Sequence, residues 1–141
     1  MIPGTCIELH SDKFPILSGE EDEIVNDGTY GKALCIYLEN KLPLAGVEVV
    51  RFLCEDWGWW IEVRVKEFTL GLQIYSDSMP GEHPRKYAIM SGIDKNRIWS
   101  WRKFRKINVG NQVSDIIDKV ESVLLKDTDI TFVKRHDDFP F

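Results

Sequence analysis

Long apolar runs are missing from this sequence, and no stretch is long enough to cross a membrane as a helix. The first residues, MIPGTCIELHSDK, lack the basic segment and following hydrophobic segment of a secretion signal. Cysteine is scarce: Cys6, Cys35 and Cys54 are odd in number and form no C-x-x-C pair. We therefore expect a cytoplasmic protein with reduced thiols that is neither exported nor inserted into a membrane.

Motifs of common catalytic and metal-binding sites are also missing. There is no G-x-S-x-G element, P-loop or dinucleotide-binding glycine pattern, and His10, His83 and His136 lack metal-ligand spacing. Glu55 and Asp56 are adjacent acids, but neighbouring strand residues point to opposite faces, which does not suit an acid–base pair. The sequence therefore predicts no catalytic residue, no metal site and no cofactor.

The composition is that of an ordinary globular protein: 43% of the 141 residues are hydrophobic and 29% are charged. A chain of this length suits one domain with a single core, so residues 1–141 are expected to form one domain. An acidic loop at 11–28 and a tail at 136–141 are expected to lie outside its packed elements.

Charge is unevenly distributed along the chain. Between Arg85 and Lys106, eight lysines and arginines stand against one acid, Asp94, which gives this window a net charge of +7. Because the whole chain carries −5, the remaining residues carry −12. The acidic pole begins with Glu20, Glu21, Asp22 and Glu23. Charges separated in this way steer partners by electrostatic attraction.

Two consecutive runs of alternating apolar and polar residues form the strongest structural signal. The apolar positions are odd in WWIEVRV, 59–65, and even in FTLGLQIY, 68–75. A turn at 66–67 pairs Ile61 with Leu72 and places every apolar side chain on one face, which a shift of one residue would destroy. The sequence therefore predicts a β-hairpin with this register.

The tryptophans at the start of this hairpin are predicted to have different roles. Trp57 and Trp59 occupy odd-numbered positions like Ile61, so they are expected on the same face and in the core. Gly58 indicates a bulge or a close backbone approach. Trp60 is expected on the polar face, either exposed there or covered by a helix or another strand. The same face is predicted to carry Glu62, Arg64, Thr69, Gln73 and Tyr75.

Two other segments have helical periodicity. Thr29 or Asp27 is expected to cap the first helix, whose apolar face carries Leu34, Leu38 and Leu42. The second covers 113–124. Short strands are expected at CIELH, VEVVRFLCE, KYAIMSG and DITFVKR. The predicted fold is α+β: a two-layer sandwich in which a mostly antiparallel sheet of about five or six strands carries two helices on one face.

The segment RIWSWRKFRKI, 97–107, interleaves basic and aromatic residues. Such a pattern offers phosphate contacts and stacking surfaces for nucleic acid. The isoelectric point of about 5.2 argues against a nucleic-acid partner. Whether the segment is a strand or a helix stays open.

The fragments YGKAL, EDWGWWIEV, WRKFRKI and DITFVKR together resemble a group of small bacterial proteins of uncharacterised function, with EDWGW as the most specific element. The resemblance covers most of the chain from Tyr30 onward. It implies a bacterial cytoplasmic single domain and transfers no catalytic residues. In size, acidic charge and lack of a catalytic motif, the chain is also similar to the immunity proteins of bacterial toxin systems.

We expect a non-enzymatic protein-binding domain, and the second resemblance implies an immunity protein that neutralises a cognate toxin by direct binding. The predicted partner-binding residues are Trp60, Glu62, Arg64, Gln73, Tyr75, Glu55, Asp56, Glu20, Glu21, Asp22 and Glu23. The alternative is a sensor or enzyme that binds a nucleotide or phosphate at the Trp60/Glu62/Arg64 face or at the basic segment 97–106. A third reading is an interaction module that acts as its own homodimer.

Overall fold

Residues 2–141 are described by a computed structural model. Within this range the chain forms β1 (Cys6–Ser11), α1 (Lys32–Lys41), β2 (Glu48–Cys54), β3 (Trp59–Val65), β4 (Phe68–Ser76), β5 (Arg85–Ser91), β6 (Arg97–Ser100), β7 (Arg105–Asn108), α2 (Gly110–Leu125) and β8 (Ile130–His136). Short 3-10 helices cover Glu20–Asp22 and Leu42–Ala45. No helix within residues 2–141 has both the length and the apolar character needed to span a bilayer.

Six strands form one sheet in the order β2-β3-β4-β5-β1-β8, and every neighbouring pair is antiparallel. Helix α1 contacts β2 and β3, and α2 contacts β1 and β8. Both helices contribute to the single core on one face of the sheet. Strands β6 and β7 pair separately as a hairpin. The segment 97–107, for which the sequence leaves strand or helix undecided, therefore forms two strands joined by a turn. The predicted α+β class is confirmed.

The β3–β4 hairpin has the register that the sequence predicts. Val65 pairs with Phe68, and Ile61 pairs with Leu72. The alternating residues Ile61, Val63, Leu70 and Leu72 are each 0% exposed. Burial of this row in the core holds the register, because a slip of one residue would turn these side chains towards solvent.

The turn between β2 and β3 departs from the predicted alternation. The Glu55 amide donates to the Gly58 carbonyl oxygen at 2.7 Å, which closes the turn before β3 begins at Trp59. Gly58 has φ +158° and lies so close to β4 that an added Cβ would come within 2.3 Å of the Ile74 carbonyl oxygen. The predicted close backbone approach is thus confirmed, and only glycine fits there.

The prediction that Trp57 lies in the core is wrong. Trp57 belongs to the turn and not to β3, so the alternation that turns Trp59 and Ile61 towards the core does not extend to it. Its side chain lies half-buried on the opposite face of the sheet. Its ring centroid is 6.2 Å from that of Trp60 and 5.1 Å from that of Tyr75. Trp59 does lie in the core at 3% exposure, as predicted.

Helix α1 is capped by a carboxylate from the preceding loop. Glu20 Oε2 accepts hydrogen bonds from the amides of Gly31 at 2.9 Å and Lys32 at 3.2 Å. Glu20 is 1% exposed, so its assignment to an exposed acidic surface is wrong. The expected caps, Thr29 and Asp27, are also wrong, because the N-cap position is Gly31 and the carboxylate reaches it from a distant turn.

The two segments expected to lie outside the packed elements are each shorter than predicted. Ser11 belongs to β1, where it pairs with Arg85, so the loop begins at residue 12. His136 belongs to β8, where it pairs with Cys6, so the tail begins at residue 137.

A charged cluster joins the loop after β1 to both helices. Lys13 Nζ lies 2.6 Å from Asp127 Oδ2, and the Tyr37 hydroxyl donates to the same oxygen at 2.8 Å. The hydrogen bond from Lys13, with that from Tyr37, lowers the pKa of Asp127 from 3.8 to about 2. These bonds stabilise the folded state when Asp127 is ionised.

Acid titration is expected to remove this stabilisation. Because the folded pKa of Asp127 lies below its unfolded value, its contribution is present above pH of about 4 and is lost as the pH falls to about 2. The cluster is near solvent, so we expect a loss of about 1 kcal/mol, measured by urea denaturation across this pH range. In Asp127→Asn, the free energy of unfolding should change less with pH across this range. If its slope against pH equals that of the wild type, Asp127 is not the group responsible.

Candidate functional site

The face of the six-stranded sheet opposite the helices, here called the open face, holds the predicted hairpin residues. Trp60 pairs with Gln73, and Arg64 pairs with Thr69, so their side chains share this face. Glu62 and Tyr75 lie on it by the same alternation. All are half-buried or exposed. The structure therefore brings the predicted side chains of β3 and β4 together.

The Trp60 indole lies flat on the backbone of the neighbouring strand. A Cβ added to Gly71 would come within 1.8 Å of Trp60 Cζ2, and one added to Gly92 would come within 3.0 Å of Trp60 Cη2. The Gly92 amide donates to the Gly71 carbonyl oxygen at 2.7 Å. The ring thus covers two glycines that have no side chain to fill the space, a recurrent device in sheets. Its other side stays available for contact.

An aromatic row extends from Trp60 across the open face: Trp60, Trp57, Tyr75, Phe139 and Phe141. The Tyr75 and Phe139 ring centroids are 4.9 Å apart, and those of Phe139 and Phe141 are 5.6 Å apart. Phe139 follows the edge strand β8, so the tail returns over β1 and β5 to reach Tyr75 on β4. Sequence reasoning missed Phe139 because its partner is far away in the chain and no periodic pattern connects them.

The charged residues of β3 are neutralised by the edge strand. Arg51 Nε lies 3.2 Å from Glu62 Oε2, and Arg64 Nε lies 3.5 Å from Glu48 Oε2. Both are cross-strand ion pairs between β2 and β3. A phosphate at the Trp60/Glu62/Arg64 face would have to compete with Glu48 for Arg64, so these contacts do not favour a nucleotide site there.

A histidine–glutamate network lies beyond the aromatic row on the same face. His10 Nε2 is 2.5 Å from Glu8 Oε2, and His136 Nε2 is 2.8 Å from Glu8 Oε1. Burial raises the pKa of Glu8, but the bonds to both histidines outweigh this and hold it below its usual 4.5. Within residues 2–141, no group of three or more His, Cys, Asp or Glu side chains has a metal-binding arrangement.

Cys6 lies beside this network but has the properties of a structural thiol. It is 1% exposed. Burial, with smaller contributions from the charges of Asp138 and Glu8, raises its pKa to about 12. Since the thiolate is the nucleophilic form, Cys6 stays protonated and unreactive near neutral pH.

An acidic cluster lies at the end of the sheet where β3 begins. It comprises Glu21, Asp22, Glu23, Glu55 and Asp56. The Asn26 side chain ties the two segments together by donating to the Asp56 carbonyl oxygen at 2.6 Å. Burial raises the pKa of the Cys54 thiol at the end of β2, and the charges of Glu20, Glu55 and Glu23 raise it further. Except for half-buried Glu55, the cluster is exposed.

Trp57 connects the acidic cluster to the aromatic row. It directly follows Asp56 in the β2–β3 turn, and its ring contacts both Trp60 and Tyr75. Trp57 thus joins the aromatic row to the Glu55–Asp56 turn, and Asn26 links that turn to the acidic segment before it. The sequence could not show these links, because they depend on the Asn26 contact and on the position of Trp57.

Comparison with known proteins finds no relative of this chain. No protein-family model, no curated protein and no solved structure matches this chain. The resemblance based on sequence fragments and the one based on size, charge and lack of a catalytic motif both stay predictions.

Proposed function

We propose that this protein is a non-enzymatic binding domain whose open face docks onto a basic surface of a partner protein. The observation that carries the proposal is the junction at Trp57, where the acidic cluster meets the aromatic row. Aromatic anchors beside charged groups are typical of energetically important contacts in protein interfaces.

The aromatic row supplies the anchoring part of this surface. Trp57 packs against both Trp60 and Tyr75, and all three are half-buried, so their rings are held in place before a partner arrives. Rings that are already ordered lose little conformational entropy on binding. Tryptophan and tyrosine are also the residues most enriched among binding hot spots.

The acidic cluster determines which kind of partner fits. It presents five carboxylates, and one of them, Glu23, forms an ion pair with Lys32 at 2.6 Å. The rest of the cluster keeps a negative field at this end of the sheet. A basic partner surface would be attracted to it, which raises the association rate more than the final affinity.

An immunity protein of a bacterial toxin system is the specific form of this proposal. Such a protein acts in the cytoplasm by covering the functional surface of a toxin, and it needs no catalytic residue of its own. The acidic cluster would meet basic residues of the toxin while the aromatic row anchors the contact. The sequence resemblances and the form of the open face support this assignment.

The direct test pairs the protein with the product of the gene that neighbours its own. We expect the two proteins to co-purify and this protein to protect cells that express the neighbouring product. Trp57→Ala and Tyr75→Ala should each raise the dissociation constant at least about 30-fold, as for interface hot spots. Calorimetry on the purified pair measures the change.

Trp101→Ala is the matched control, because Trp101 is 80% exposed and lies in the β6–β7 loop, outside the six-stranded sheet. It should leave binding unchanged. Equal loss in all three variants, or failure of the wild-type protein to protect, would contradict the proposal. A wild-type homodimer that Trp57→Ala converts to monomer would instead assign the open face to a second copy of the chain.

A further inference from the structure

A basic groove lies at the opposite end of β3 from the acidic cluster. It has a volume of about 670 Å³ and is formed by the β3–β4 turn, the β6–β7 hairpin and the start of α2. The side chains that give it its charge are Lys66, Arg97, Lys103, Arg105 and Lys106. This volume is within the range of about 300–1,000 Å³ found for small-molecule sites.

The groove has an excess of positive charge that its own acid does not balance. Glu67 is the one acidic residue among the described side chains that line it, and it bonds to Lys103 at 2.6 Å. The hydrogen bond from Lys103 lowers the pKa of Glu67, and the nearby charges of Arg102 and Arg105 lower it further. One carboxylate facing this many cations leaves room for an anionic ligand.

The start of α2 adds to the positive potential. Gln112, in the first turn of α2, lines the groove, and that turn contains no acidic residue. The N-terminus of a helix has a partial positive charge and amides that favour anions. This potential reinforces the charge of the side chains.

Three exposed rings continue from the groove along the hairpin. Trp99, Trp101 and Phe104 are 43%, 80% and 71% exposed, and their ring centroids lie 5.3 to 6.3 Å apart. Trp99 pairs across the hairpin with Lys106, a residue that lines the groove. The rings and the cations are therefore neighbours on one hairpin. Such a concentration of exposed aromatic surface indicates a binding site.

We propose that the groove and these rings bind a nucleotide, either free or within a single-stranded nucleic acid. The cations would hold phosphate, and a base would stack on the exposed rings. The chain's negative net charge does not oppose this, because the acidic cluster lies at the other end of a strand about 20 Å long. The site is separate from the open face and adds to the proposed protein-binding function.

The test titrates the full-length protein with four probes at low salt: a single-stranded oligonucleotide of about ten nucleotides, ATP, inorganic phosphate and polyglutamate. Tryptophan fluorescence and anisotropy of labelled probes measure binding. We expect the oligonucleotide or ATP to bind at least about tenfold more tightly than phosphate or polyglutamate. Which of the two binds distinguishes a nucleic acid from a free nucleotide.

Three variants separate the contribution of base stacking from that of charge. Trp101→Ala should weaken binding about 5- to 100-fold, whereas Trp101→Phe should retain most of it, since stacking requires a ring. Lys106→Ala should reduce the slope of log affinity against log salt by about 0.7 for a single strand. Lys134→Ala, an exposed lysine on β8, is the control and should change neither quantity.

Thermal unfolding of each variant checks that the fold is intact. The proposal is overturned if neither the oligonucleotide nor ATP binds, if polyglutamate binds as tightly as both, or if Lys134→Ala weakens binding as much as Lys106→Ala does. If Lys106→Ala weakens binding but Trp101→Ala leaves the affinity unchanged, base stacking is also excluded.

Discussion

Replacing Glu20 with alanine is expected to lower the free energy of unfolding by about 3 kcal/mol. The carboxylate accepts hydrogen bonds from Gly31 and Lys32 through one oxygen and from Leu17, at 3.1 Å, through the other. Alanine would leave three backbone amides without this partner, that of Gly31 in a buried position and those of Leu17 and Lys32 in partly buried ones. It would also remove the negative charge that favours the N-terminus of α1.

Two further variants make this prediction specific. Glu20→Gln keeps a carbonyl oxygen for one side of the network but turns an amide group towards the other donors, so we expect an intermediate loss. Glu21→Ala removes an exposed acid of the same loop and should change stability by less than about 0.5 kcal/mol. Urea denaturation measures all three. Equal stability of Glu20→Ala and Glu21→Ala would show that the cap does not stabilise α1.

Replacing Gly71 with alanine is expected to cost about 2 kcal/mol, because the new Cβ would occupy the space of the Trp60 indole. The ring would have to leave the surface of β4, and with it the contact with Trp57. The tryptophan fluorescence of the protein should then shift to longer wavelength, because water reaches the Trp60 indole. Partner binding through the aromatic row should weaken in parallel.

The matched control is the same glycine substitution in a Trp60→Ala background. With the indole removed, the added methyl group meets no ring, and Gly71→Ala should cost less than about 0.5 kcal/mol. The difference between the two backgrounds measures the coupling of Trp60 to Gly71. An equal cost in both backgrounds would mean that the glycine is needed for the backbone of β4 and not for the tryptophan.

Local patterns were sufficient to predict most of the regular structure. Alternation in β3 and β4 predicted their pairing because burial of one face leaves a single acceptable register, as Ile61 and Leu72 show. The spacing of Leu34 and Leu38 likewise predicted the buried face of α1, and both are 0% exposed. In each case the signal lies within a few residues of the chain.

The candidate site was predictable only in part. The face shared by Trp60, Gln73 and Tyr75 followed directly from the register. The alternation does not predict the position of Trp57, because the hydrogen bond that closes its turn ends the alternation before β3 begins. The sequence around Glu20 predicts an exposed acid, whereas its role depends on amides at the start of α1.

Patterns in the amino-acid sequence are enough to predict the two layers of this protein, the register of its central hairpin and the separation of its acidic and basic segments. The folded chain adds the packing of Phe139 on Tyr75, the place of Glu8 between His10 and His136, and the position of Trp57 between acids and aromatic rings. The two groups differ in the range of the interactions. Periodic burial acts between near neighbours in the chain, whereas these contacts form between segments that meet only after the sheet has assembled.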